Sequence, residues 1–75
     1  MSKATGFSRK SFGRAVRIER EKLGLSQEEF AERANVHRTY ISSIELGKVS
    51  VGIEVAKALA VALGIKFSEL VHKAE

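Results

Sequence analysis

Arg38, Thr39, Ser42 and Ser43 recur at the spacing of one helix face, opposite the apolar Ile41 and Ile44. These side-chain types suit the reading of DNA base edges. The planar fork of an arginine fits guanine O6 and N7, and a good bidentate pair discriminates by roughly 1–3 kcal/mol. Thr39 offers a methyl to thymine or a hydroxyl to any base. Ser42 and Ser43 are short enough to let a helix backbone approach bases or phosphates. Gln27, further back, sets an amide beside a helix N-terminus, where backbone N–H groups bind phosphate. Lys48 follows the reading stretch and is a second backbone contact. Each side chain alone suits a solvated surface; their coincidence around one groove-sized helix points to nucleic acid.

These residues need two short helices and a turn to hold them, and residues 25–47, LSQEEFAERANVHRTYISSIELG, supply them. Ser26 and Glu29 form a capping box that starts a helix at Gln27. Phe30, Ala31 and Ala34 give it an apolar face, and Asn35 ends it in a left-handed turn. A second helix begins near His37 or Arg38, carries Tyr40, Ile41 and Ile44 inward, and stops at Gly47. Neither helix reaches the roughly 12–15 residues at which an isolated helix becomes marginal. Together they form a helix-turn-helix, whose second helix can enter a major groove.

The remaining chain reads as support. Residues 1–10 lack periodicity and are expected to be a flexible basic arm, with an ordered domain over 11–73. Ser11 is the expected cap of a first helix reaching Leu23, with Phe12, Ala15, Val16 and Leu23 buried and Ile18 marginal or exposed. Arg20 shares that side, so it must snorkel to water or find a carboxylate. Glu45 is the candidate, the alternative being two solvated groups. A helix over 53–63 is apolar on nearly every side and is expected to be buried on nearly every side. Gly64 caps it. A last helix starts near Phe67 or Ser68. Ile65, Phe67, Leu70 and Val71 hold more apolar surface than a small monomer hides, which marks a self-association surface; the alternative is an ordinary core edge.

Composition narrows the class. The 75 residues allow one domain with one small core. Without Cys there is no thiol chemistry or thiolate zinc site, and the two His, His37 and His72, are too far apart to suggest a metal centre. No cofactor is expected. No stretch suits a bilayer span or a secretory signal, so the expected location is cytoplasmic and nucleoid-associated, with no membrane partner. There is no convincing Ser/His/Asp arrangement and no phosphate loop after a strand, which argues against an enzyme. Thirteen Lys and Arg against nine Asp and Glu give a net charge of +4, with the excess before residue 23. That basic segment suits a phosphate backbone, Arg17 being its candidate contact, although a solvated basic surface would look the same.

The stretches GLSQEEFA at 24–31, YISSIELGK at 40–48 and LAVALGI at 59–65 resemble the lambda-repressor-like helix-turn-helix family of prokaryotic and phage regulators. The likeness runs from about Phe12 to Val71. Within that family, HRTYIS at 37–42 is similar to the controller proteins of restriction–modification systems. The resemblance implies an all-α fold of five helices, with the motif at the second and third, and dimers on palindromic operators. It implies base contacts from Arg38, Thr39 and Ser43, and phosphate contacts from Gln27, Ser42 and Lys48. It further implies a buried Arg20–Glu45 ion pair and dimerisation through the last helix. Asn35 stands where the family commonly has Gly, and Gly52 where it often has Ser or Thr. His37 replaces a Ser or Thr cap and is a weaker cap that can contact phosphate. Val49 and Ser50 replace an Arg-Asn pair frequent in the controller group.

The expected function is therefore a homodimeric, sequence-specific DNA-binding transcription regulator acting by blocking or recruiting RNA polymerase. Two alternatives stand beside it. One is an antitoxin-like subunit that masks a toxin-like partner; the other is an architectural DNA-binding module without base specificity.

Overall fold

A computed structural model describes residues 8–75, which form five α-helices in chain order. They are α1 (Arg9–Lys22), α2 (Gln27–Ala34), α3 (Arg38–Glu45), α4 (Ile53–Leu63) and α5 (Phe67–Lys73). Among the described residues there is no strand. No helix there is long and apolar enough to cross a membrane.

The first helix begins earlier than its sequence suggests. Ser8, not Ser11, is the cap: its Oγ accepts from the Ser11 N–H at 3.1 Å, and its own N–H donates to Ser11 Oγ at 2.8 Å. Two serines three apart thus close a capping box on each other, Ser11 taking the role usually given to Glu. Arg9 and Lys10 are consequently helical, so the expected arm over 1–10 is too long; its residues 1–7 lie outside the described part. Phe12, Ala15 and Val16 are buried on the inner face. Leu23 is not; it is 49% exposed, because the helix ends at Lys22 and Leu23 is its C-cap. The chain turns through Gly24, and Leu25 packs against the core instead.

The second and third helices follow their local signals. Ser26 and Glu29 make the reciprocal box, with Ser26 Oγ accepting from the Glu29 N–H at 3.0 Å. Asn35 takes φ 58°, the left-handed conformation that a short polar side chain tolerates. Phe30, Ile41 and Ile44 are fully buried together with Leu59, Leu70 and Val16. Burying side chains of this size contributes about 1.5–3 kcal/mol each. This shared core holds the two short helices in place.

The fourth helix has the expected bounds but a one-sided environment. Ala56, Leu59, Ala60, Ala62 and Leu63 face the core, whereas Ile53 and Val61 are 61% and 78% exposed. With only α1, α2 and α5 packed on it, α4 has too few neighbours to be covered all round. Conversely Leu70 of α5 is completely buried in the protein's own core. It therefore cannot belong to a dimer surface, as its apolar type suggested. Ile65, Phe67 and Val71 remain half-buried.

Candidate nucleic-acid interface

The third helix packs on both α1 and α2, leaving its polar face outward. Arg38 and Thr39 are exposed at its first turn, and Ser42 and Ser43 are half-buried one turn on. His37 caps the helix through an unusual pairing. Its Nδ1 accepts from the Thr39 N–H at 3.3 Å and from Thr39 Oγ1 at 2.5 Å. That acceptor role puts the ring hydrogen on Nε2, leaving this atom able to donate to a phosphate.

A buried ionic network fixes the other end of α3. Arg20 donates from Nε to Glu45 Oε2 at 2.6 Å and from Nη2 to Glu45 Oε1 at 3.0 Å. The side chains are only 11% and 3% exposed. Arg20 Nη1 also donates to the Leu25 carbonyl at 2.7 Å, and the Gln27 amide donates to Glu45 Oε1 at 3.0 Å. The fork-to-fork hydrogen bonding to Glu45 raises the Arg20 pKa above its ordinary value against the opposing effect of burial. One carboxylate thereby joins α1, the start of α2 and the end of α3. A charge pair so enclosed fixes geometry better than it adds net stability.

In this geometry one N–H of the Gln27 side-chain amide is held by Glu45, and the second is the donor left for another acceptor. Arg17 lies exposed, with Nε 3.2 Å from Glu21 Oε2. A surface pair of this kind is worth only about 0.3–0.5 kcal/mol and can yield to a phosphate. Lys48 is exposed beyond the end of α3. Glu28, Glu29 and Glu32 border an open depression shared with His37 and Arg38 and give that side of α2 an acidic character. Glu29 is tied into the cap, and hydrogen bonds from Ser26 hold its carboxyl below the usual range.

Two glycines seat α3 against α1: Gly47, which the sequence marks only as a helix stop, and Gly13, which it leaves unread. A methyl on Gly13 would lie 2.0 Å from the Ile44 carbonyl oxygen and 3.1 Å from that of Glu45. At Gly47 it would lie 2.9 Å from the Cα of Lys10. The available signal was Gly13 itself: a glycine inside a helical segment costs about 1 kcal/mol against Ala and calls for a packing reason. Among the described residues no His, Cys, Asp or Glu cluster could hold a metal ion.

A protruding polar helix, seated by glycine and locked by a buried ion pair beside a second short helix, defines a helix-turn-helix domain. The helix-turn-helix family HTH_3 matches residues 16–70, and the chain belongs to it. It is 43% identical over 60 residues to control protein C.MunI of a Mycoplasma species, covering 79% of this chain and 81% of that one. In structure it is similar to the restriction-modification controller protein C.AhdI of Aeromonas hydrophila. That match has a TM-score of 0.80 and 35% identity, covering 83% of this chain and 94% of that chain. The controller C.Esp1396I, solved as a tetramer with its natural 35 base-pair operator, matches with a TM-score of 0.81 and 26% identity, covering 93% and 96%.

Proposed function

We propose that the chain is a transcription regulator of the restriction–modification controller type, reading a palindromic operator as a homodimer. The observation that carries this is the exposed face of α3, with Arg38 at its first turn, held at a fixed angle by the Arg20–Glu45–Gln27 network. Arg38, Thr39 and Ser43 take the base edges. Ser42, Lys48, Arg17, His37 Nε2 and the first turn of α2 take phosphates. Two copies of α3 separated by about 34–36 Å would meet successive major grooves on one side of the duplex.

The dimer face lies on the α4–α5 side. Val61 and Ile53 supply the exposed apolar anchors there, flanked by half-buried Ile65, Phe67 and Val71. RNA polymerase is the macromolecular partner consistent with this role, and the location is cytoplasmic, on the nucleoid. No enzymatic step is assigned.

Selection of bound duplexes from a random pool at about 150 mM salt tests the reading. The expected result is a palindromic site bound at least ~10³-fold more tightly than a scrambled duplex. A pool that returns no motif refutes it in favour of architectural binding. The exposed Ile53 and Val61 also suit an antitoxin-like subunit, and gel filtration distinguishes the two. A discrete homodimer supports the regulator, whereas an aggregating monomer supports a missing toxin-like partner.

A further inference from the structure

Lys10, Arg14 and Arg17 follow one another at intervals of four and three residues, so they form a single stripe along α1. All three are exposed, and they line one open depression with Ser8, Glu45 and Leu46. The depression belongs to two helices: α1 supplies its cations and the end of α3 its far wall. The close contact between Lys10 and Gly47 holds the stripe beside the exit of the reading helix. Its negative charge is low. Glu45 is directed inward to Arg20 and Gln27, and Glu21 is an exposed surface partner of Arg17. Leu46, 60% exposed, stands among the cations as an apolar surface.

We propose that this stripe is a second track for the DNA sugar–phosphate backbone, outside the helix-turn-helix and carried by α1. The inference rests on the DNA-binding reading above and extends it to Lys10 and Arg14. Seven residues of helix span about 10 Å. Phosphates of one strand rise about 3.4 Å apart along the duplex axis, so the stripe spans about three such steps. Leu46 packs against deoxyribose between those contacts. The track carries no base information. It strengthens binding to operator and scrambled DNA alike, and it fixes how far α3 enters the groove.

The test compares the wild-type dimer with the double variant Lys10→Gln, Arg14→Gln, after thermal melting shows both folded. Affinity for the selected operator and for a scrambled duplex is measured from about 50 to 200 mM salt. Two lost phosphate contacts should flatten the slope of log K against log salt by about 1.8. Over that range the wild-type affinity should fall about 12-fold further than that of the variant, on both duplexes. The operator-to-scrambled ratio should hold within about threefold. An unchanged slope overturns the proposal, as does a defect that emerges only when RNA polymerase is added, since the stripe would then serve a protein. If the wild type itself shows no operator preference, the failure lies in the DNA-reading assignment and not in the track.

Discussion

Gly13→Ala should destabilise this protein, although the same change in most helix interiors stabilises. Replacing a glycine by alanine inside a helix ordinarily gains about 0.8–1.0 kcal/mol. At Gly13 the added methyl would sit 2.0 Å from the Ile44 carbonyl oxygen. Even weak C–H···O contacts need a carbon–oxygen separation of about 3.3–3.6 Å. The end of α3 must therefore retreat by about 1 Å or more. The obstacle is backbone, and no side-chain rotamer can relieve it. Overpacking of this kind costs about 1–3 kcal/mol, occasionally more. The same retreat lengthens the 2.6 Å and 3.0 Å bonds between Arg20 and Glu45, which span these two helices. The net expectation is a loss of up to about 2 kcal/mol, or up to about 15 °C in Tm for a domain of this size. Thermal and urea unfolding followed by circular dichroism measure it, with operator binding as a second readout. Affinity should fall further than the unfolded fraction explains, because the angle of α3 changes in the folded molecules. A variant as stable as wild type, with undiminished affinity, would refute the claim that backbone contact at Gly13 sets the position of α3.

Other perturbations follow from the same structure. Glu45→Ala leaves the Arg20 guanidinium buried without its carboxylate and should cost about 3 kcal/mol in urea unfolding. Adding Arg20→Met should recover much of that stability but not operator affinity. Glu29 has a depressed pKa in the folded state, so its contribution is present above its unfolded value and lost as pH falls through the folded one. Glu29→Gln should therefore be less stable than wild type near about pH 7, with the difference shrinking as the pH is lowered through the depressed folded-state value, as a series of denaturant melts at falling pH would show. Gly52 caps α4 without a side-chain hydrogen bond and has open space around it. Gly52→Ser should raise stability by a few tenths of a kcal/mol, and a fall in Tm would show that Ser cannot cap there.

Much of this architecture is legible without coordinates, and the division has a physical basis. The start of α2, the left-handed Asn35 and both bounds of α4 depend on hydrogen bonds between residues a few positions apart, so the local pattern suffices. The start of α1 was misplaced for a local reason as well, since Ser8 and Ser11 are both good caps and only their reciprocal bonding selects the first. Leu23, Val61 and Leu70 fail differently. Apolar type says that a side chain gains by burial, but not whether a neighbouring helix arrives to cover it. The helix ends before Leu23, no helix covers Val61, and Leu70 inserts wholly into the core. At the site, residue types alone nominated Gln27 for phosphate. Only the fold shows its amide directed to Glu45.

The groups that hold α3 and most of the groups on its outer face are different residues. Arg20, Glu45, Gln27 and Gly13 do the holding. Arg38, at the exposed first turn, takes no part in that network. On the base-reading role proposed for Arg38, mutation there would retarget the protein without an accompanying loss of folding free energy. Position 39 is not independent in this way, because Thr39 is bonded to the His37 ring through both its N–H and its hydroxyl. A change there keeps the backbone N–H bond to the ring and gives up only the hydroxyl contact, so position 39 is less free than 38. On the same proposed role, two copies of this fold differing only at 38 would share one stability and hold separate operators.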